Sequence, residues 1–245
     1  MKRRKTTFVY KDENFGDNTG LVIETGPNVF KPTSTTTLLL SAVRMHAKQH
    51  INSALDLGCG CGIVAVALAK VIFPRTKIYA SDISEAAVAL TQRNALAQEC
   101  QIDCRCGSLF SPWTEMKFDL IIDDVAAIAE PIARRSRWYP SQILSAAGRD
   151  GTRWIVQVLS EAQKYLNAGG QLFFPVLTLS NQTKILDTAH KNFQHVEKIA
   201  EEWYPLGPYL VPHLDLLLEL KKDGQIELLN QDESWFWATK IFRAY

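Results

Sequence analysis

Long apolar runs are missing from this chain: none of its 245 residues opens a stretch near the ~18 apolar residues that a membrane-spanning helix needs, so no membrane partner is expected. Charge of one sign is missing too. Lys and Arg number 27 against 26 Asp and Glu, and the net charge of +1 gives no field that would gather nucleic acid onto a basic face. Cysteine is scarce and odd in number, five in all, which argues against a disulfide framework and for a reducing, cytoplasmic setting. Cys100, Cys104 and Cys106 cluster without zinc spacing or a completing histidine, and His46 and His50 lack a third ligand, so no metal is expected. His190, His195 and His213 fall at no motif position. Residues 1–5 are basic, but no apolar core follows them and no targeting segment is expected. Internal repeats and low-complexity linkers are absent as well. What remains is 47% hydrophobic, enough for a substantial core, and suits an α/β fold with embellishments.

The most informative stretch is Ala54-Leu-Asp-Leu-Gly-Cys-Gly-Cys-Gly62, which runs straight into Ile-Val-Ala-Val-Ala-Leu-Ala-Lys. An apolar strand ends in an acid and three alternate glycines, and a helix follows at once. Glycine carries no Cβ and tolerates positive φ, so such a turn lets backbone approach a ligand closely. The spacing differs from the dinucleotide fingerprint Gly-x-Gly-x-x-Gly, whose helix N-terminus faces a pyrophosphate. The next apolar run, 77–81, ends in Asp82, the distance downstream at which an acid hydrogen-bonds a ribose in a doubly wound sheet. Asp82 and Ser84 also both precede a helix and either suits an N-cap.

Periodicity and punctuation give the order of elements. Strands over 6–10 and 20–24 form a hairpin, and a helix runs from about 34 to 48. Strand 53–57, helix 63–73, strand 77–81, helix 85–97 and strands 102–106 and 118–123 then alternate, which implies a mostly parallel sheet with helices on both faces. Helix 152–166 stops at Asn167-Ala-Gly-Gly before strand 171–176. Helix 181–192 leads into strands 195–203, 214–220 and 236–242, with a turn at Lys222-Asp-Gly224.

The glycine turn resembles the first motif of the class I S-adenosylmethionine (SAM)-dependent methyltransferases. The segment Gly26-Pro-Asn-Val-Phe-Lys-Pro-Thr-Ser-Thr-Thr-Thr-Leu-Leu-Leu40, with Gly107-Ser-Leu-Phe110 and Gly148-Arg-Asp-Gly151, is similar to the release-factor glutamine methyltransferases and their ribosomal-RNA relatives over roughly residues 20–180. The resemblance implies a Rossmann-like fold of seven principal strands with an N-terminal hairpin and lid helix in 1–50 and a catalytic unit in 51–245. It also implies SAM as cofactor. Gly58, Gly60 and Gly62 would make room for its methionine part and Asp56 would face its ammonium side. Asp82 would hold the ribose, Ser108 stands at the adenine contact, and Ile83 and Leu109 would also bind the cofactor. Phe30, Pro32, Thr33 and Thr35 would form a lid, unless Thr33 or Ser34 is simply a helix cap.

Two departures narrow what carries over. The family's Asn-Pro-Pro-Tyr, which holds an acceptor nitrogen toward the methyl group, is replaced here by Asp123-Asp-Val-Ala-Ala127, and Ser108 replaces the aspartate that contacts adenine. Glutamine or base-nitrogen methylation therefore does not carry over. Asp123 and Asp124 could instead orient or deprotonate an acceptor, with Asp123 also beside the cofactor; equally, Asp123 could cap the next segment while Asp124 is solvated. In Glu130-Pro-Ile-Ala-Arg-Arg-Ser-Arg-Trp-Tyr-Pro140, Arg134, Arg135 or Arg137 could read a carboxylate or phosphate, with Trp138 and Tyr139 as a flat wall; a solvated basic cap is the duller alternative. Tyr204, in a Pro- and Gly-rich aromatic loop, is a further candidate for the acceptor pocket. The expectation is methyl transfer to oxygen or nitrogen of a small or peptidic, negatively charged acceptor. RNA or protein methylation and a non-catalytic SAM-binding protein remain the alternatives.

Overall fold

Strands covered on both faces by helices read as unbroken apolar runs, and those at the middle of this sheet do. Every residue of Ala54–Leu57 is buried, including Asp56, and so is Leu120–Asp123. The computed structural model describes residues 6–11, 20–136, 138–139 and 147–245.

A two-stranded antiparallel hairpin, β1 (Thr6–Tyr10) with β2 (Leu21–Thr25), precedes helix α1 (Ser34–His46). The large sheet then begins with β3 (Ser53–Leu57), α2 (Ile63–Ala67) continued by a wider π turn to Ile72, β4 (Lys77–Asp82), α3 (Glu85–Ala97), β5 (Ile102–Cys106) and β6 (Phe118–Asp123). After α4 (Glu130–Ser136) and α5 (Arg153–Glu161) come β7 (Leu166–Leu177), α6 (Gln182–Asn192), β8 (Val196–Pro205), α7 (Leu214–Lys222), β9 (Leu229–Gln231) and β10 (Ser234–Ala244). The strand order is β5-β4-β3-β6-β7-β10-β8, with β9 beside β10. Strands β3 to β7 pair in parallel, and β10 runs antiparallel between β7 and β8. This is the expected mostly parallel, Rossmann-like sheet with an N-terminal hairpin.

The order reverses between β3 and β6: from β3 the chain moves outward through β4 and β5, then returns to β6 on the other side. Ligands of open α/β sheets bind at the carboxyl ends of the strands at such a switch point. The glycine turn leaves β3 there, and Asp124 leaves β6 there. The two strand ends are in register, Leu57 opposite Asp123.

One side chain ties the hairpin to this region. Asn94 on α3 is buried; its Oδ1 accepts from Glu24 N at 3.0 Å, and its Nδ2 donates to Glu24 O at 2.9 Å and to Cys61 O at 2.8 Å. A buried amide satisfied on both atoms fixes orientation, because breaking one bond would leave an unpaired polar group in the core.

Two sequence expectations are corrected. Residues 214–220 form helix α7, not a strand: the Leu-x-Leu spacing suggested period two, but Leu217 and Leu220 are the buried pair, three apart on one helical face, and leucine favours helix. Helix 152–166 is shorter: α5 stops at Glu161, a 3-10 turn covers Ala162–Lys164, and Asn167-Ala-Gly-Gly lies inside β7. There the register jumps from Phe118↔Leu166 to Leu120↔Gln171, so these residues are a bulge that Gly169, at φ +72°, allows.

Candidate functional site

The three glycines of the turn have φ of +76°, +52° and +83° at Gly58, Gly60 and Gly62. Their tasks differ. A Cβ on Gly62 would lie 2.7 Å from Thr91 Cγ2, so this glycine lets α2 pack on α3. A Cβ on Gly58 would lie 3.1 Å from Val125 Cγ1 and 3.2 Å from the Asp124 carbonyl, so this one seats the turn against the end of β6. At Gly60 nothing lies nearer than Phe30 O, at 3.6 Å, and the space beside it belongs to a cavity of about 440 Å³.

That cavity is lined by Gly58, Gly60, Asp82, Ile83, Ser108 and Leu109 from the ends of β3, β4 and β5. Phe30, Thr33 and Thr35 join them from the start of α1, and residues 124–128 from the segment after β6. Trp138, Tyr139, Trp154, Pro175, Leu177 and Trp237 complete a mostly apolar wall. Backbone amides organise the half of the cavity at the glycine turn: Gly58 N and Cys59 N donate to Ser81 O, while Asp82 accepts from Gly60 N at 3.0 Å and from Ser84 N at 2.8 Å. Ser84, whose hydroxyl accepts from Ala87 N, is the N-cap of α3, and Asp82 fastens the glycine turn to it. Burial pushes its carboxyl pKa up, and the two amides oppose that.

The remaining acids occupy three different environments. Asp56 is wholly buried beneath the turn and does not line the cavity; one oxygen accepts from Ala65 N at 3.0 Å and the other has no partner. Desolvation, then the Asp124 charge, raise its pKa well above the usual carboxylate range. Asp123 is buried and off the cavity too: Oδ1 accepts from Val125 N at 3.2 Å, Oδ2 is unpartnered, and burial lifts its pKa to about 8. The structure thus brings only Asp124 of the adjacent pair to the cavity, as alternation along an extended segment demands. Burial lifts Asp124 to about 6, held down by the Thr36 hydroxyl, which donates to Oδ2 at 2.9 Å.

Thr33, the N-cap of α1, lines the cavity, and its N–H donates to Thr36 Oγ1 at 3.4 Å. Thr35 donates to or accepts from Thr239 at 2.9 Å, which anchors α1 on β10. Phe30 stacks on Tyr139 at 4.9 Å and Trp138 packs on Trp237 at 5.4 Å. Burial, then the Asp124 charge, raise the Tyr139 phenol pKa. Tyr204 does not line the cavity but backs it: its ring lies 5.0 Å from Trp237, and its hydroxyl donates to Glu202. Gly62 supports the turn from outside the lining.

The arginines are not brought in. Arg134 pairs with Glu130 along α4, its side chain 73% exposed, and Arg135 donates to Pro131 O. Arg137 lies outside the described residues. Among the described lining residues there is no Lys, Arg or His. No cluster of His, Cys, Asp or Glu suited to a metal occurs among the described residues. Cys59 and Cys61 are buried in the turn, and burial pushes the Cys61 thiol up to about 12.

The sequence reading passed over Thr36, Trp154 and Trp237. Thr36 had a signal, since it stands three residues after Thr33 at capping-box spacing. The tryptophans had none, because they reach the cavity from α5 and β10, remote in the chain.

Residues 21–124 match the family model described as Methyltransferase small domain. A release factor glutamine methyltransferase of Geobacter sulfurreducens is 31% identical over 175 residues, which are 70% of this chain and 60% of that protein. Another, from Koribacter versatilis, is 30% identical over 150 residues, covering 59% of this chain and 53% of its own. The chain thus spans between half and two thirds of the length of these relatives. Solved structures share the fold. A T. thermophilus 16S rRNA methyltransferase superposes with TM-score 0.58 at 16% identity, over 98% of this chain and 50% of that one. A ribosomal protein methylase from Lactobacillus delbrueckii gives TM-score 0.53 at 18% identity, over 89% and 82%. The similarity first visible in the glycine turn therefore extends through β2 to β6, and the chain carries a methyltransferase small domain, residues 21–124, within a Rossmann-like class I methyltransferase fold.

Proposed function

We propose that the protein is a SAM-dependent methyltransferase that methylates an oxygen or nitrogen of a small or peptidic group. The observation that carries this is the meeting, in one cavity at the switch point of the sheet, of an acid at the end of β4 that holds the glycine turn, a glycine with open space beside it, and a second acid at the end of β6. The residues present fit the cofactor. Gly58 and Gly60 leave backbone open to its methionine part, Asp82 keeps lone pairs for ribose hydroxyls, Ile83 and Leu109 offer apolar faces to the adenine, and Ser108 and Thr33 offer hydroxyls. Asp56, Gly62 and Asp123 support the turn and the strand end from beneath. The cofactor supplies an activated methyl group on a sulfonium.

Asp124 then has the placement of the acceptor-side acid. With a pKa near 6 it is ionised at neutral pH and able to take a proton from a bound hydroxyl or amine. Asp123, near 8 and off the cavity, holds its own proton. The acidic acceptor expected from the arginines gains no support from a described lining without a cation.

Calorimetry with SAM tests the reading. Saturable heat with a micromolar-range Kd, about −8 kcal/mol, is expected. Its absence from the native chain ends the proposal. Methyl-labelled SAM with fractionated cell extract then locates the acceptor. A second reading, methylation of a protein or an RNA, is favoured by the names of the relatives, release factor glutamine and 16S rRNA methyltransferases. Label in macromolecular fractions would select it.

A further inference from the structure

Resting on the methyltransferase reading, we infer that the methylated group is an amine, cationic in neutral solution, whose stem lies among Trp138, Trp154 and Trp237 and whose nitrogen meets Asp124. The charge inventory of the cavity points there. Among its described lining residues the groups that carry charge at neutral pH are two carboxylates, Asp82 and Asp124. Both Asp82 oxygens already accept backbone amides. Asp124 has Oδ2 taken by Thr36, whereas Oδ1 accepts from no described residue. Among the described residues, Asp124 Oδ1 is thus the carboxylate oxygen of the lining that has no donor yet.

The walls around it suit a cation. Three tryptophans from separate segments line it together with Tyr139 and Phe30, and aromatic rings attract positive charge electrostatically. Arg134 is bound to Glu130, and Arg153 sits 4.6 Å over the Trp154 ring without lining the cavity, so among the described residues no guanidinium competes inside it. A carboxylate or phosphate on the acceptor would meet only like charge in an apolar space, where repulsion is weakly screened. An amide would gain the stacking but no ion pair. An ammonium gains both.

The step balances. The bound ammonium gives a proton to Asp124, which passes it to solvent. The freed nitrogen lone pair forms the N–C bond to the sulfonium methyl as the S–C bond breaks and its electron pair returns to sulfur. The product is a methylated ammonium, a neutral thioether and one released proton.

Three ligands with one ring and different ends test this by tryptophan fluorescence, with S-adenosylhomocysteine present so that no chemistry intervenes: 2-phenylethylamine, 3-phenylpropanamide and 3-phenylpropanoate. The amine is expected to bind about 10-fold or more tighter than the carboxylate, with the amide between them, and Asp124→Asn is expected to abolish the preference. With labelled SAM, label is expected on nitrogen of the small amine or of a blocked peptide bearing one lysine, and whichever takes it names the source. Amide or carboxylate binding as tightly as the amine overturns the inference, as does Asp124→Asn that keeps the preference; saturable SAM heat would still leave the methyltransferase reading standing. The ranking by the native chain decides the matter even if the variant does not fold. Failure of SAM itself to bind overturns both.

Discussion

Thr36 Oγ1 donates a 2.9 Å hydrogen bond to Asp124 Oδ2 while accepting, at 3.4 Å, from the backbone N–H of Thr33. One hydroxyl thereby joins the cap of α1 to the acid at the end of β6, two elements 88 residues apart. The bond opposes the burial that raises Asp124, because a donor to the ionised form stabilises it.

Thr36→Val removes that donor at nearly constant volume. The Asp124 pKa is expected to rise above its present value of about 6, because burial then acts on the carboxylate without that donor to oppose it. Turnover that needs ionised Asp124 falls as pH drops through its pKa, so the acid limb of the kcat profile moves to higher pH in the variant. A profile that scales down without moving would leave Thr36 a role in packing alone.

Asp124→Asn keeps the shape and loses the base. Turnover is expected to fall by roughly 100-fold or more with SAM affinity nearly unchanged, the scale of a general-base contribution. Asp123→Asn is expected to leave turnover within a few-fold, since Asp123 lies off the cavity. Paired kinetics and calorimetry on both variants check this. Equal losses from the two would show that the pair acts through the strand end and not through the cavity.

Asp123 has a separate signature in stability. Burial raises its pKa from 3.8 to about 8, so between those values the folded chain holds a proton that the unfolded chain has released. Its stabilising contribution is complete below pH 3.8 and is lost as pH rises towards about 8, with a slope of at most about 1.4 kcal/mol per pH unit. Asp124 and Asp82 act with the same sign. Asp123→Asn cannot titrate, so denaturant unfolding should show the variant gaining on the native chain from pH 4 to pH 8. Parallel curves would place the proton elsewhere.

How far the sequence reached can be judged from particular residues. The alternation from β3 to β6 was legible almost to the residue, because buried parallel strands and their helices differ sharply in period and the glycines punctuate them. Leu214–Lys222 was not, since a leucine run with two acids satisfies both periods until the third dimension shows which leucines are covered. Asp82 and Gly60 were legible because their roles are local. Trp154 and Trp237 were not, because nothing near them in the chain reports the cavity that they share. The arginines misled by adjacency: Arg134 follows Glu130 by one helical turn, and that spacing pairs it with its own helix.

Asp82→Ala removes the acceptor for Gly60 N and Ser84 N. The loss of an acceptor for these two amides is expected to cost stability about 1 kcal/mol or more. The loss for SAM is expected to be larger, because the turn is untethered and the ribose acceptor is gone at the same time. Asp82→Asn keeps one of the two amide contacts, through its single carbonyl oxygen, and should fall between the two. Calorimetry ranks the three chains, and SAM affinity unaltered in the alanine variant would remove Asp82 from the cofactor site.

The last contrast lies within the glycine turn. Gly62→Ala places a Cβ 2.7 Å from Thr91 Cγ2 at φ +83°, so strain and overpacking act together and a loss of about 2–4 kcal/mol is expected. Gly60→Ala meets nothing closer than Phe30 O at 3.6 Å, and its φ of +52° lies in the left-handed region, which costs an alanine only about 1–2 kcal/mol. Its methyl group, however, occupies space at the cavity wall where a ligand would approach the backbone. The two variants should therefore separate: Gly62→Ala lowers the thermal midpoint more, and Gly60→Ala weakens SAM more relative to its loss of stability. Thermal unfolding and calorimetry on the same two preparations measure both quantities. If Gly60→Ala binds SAM as the native chain does, the opening beside Gly60 is not where the cofactor lies.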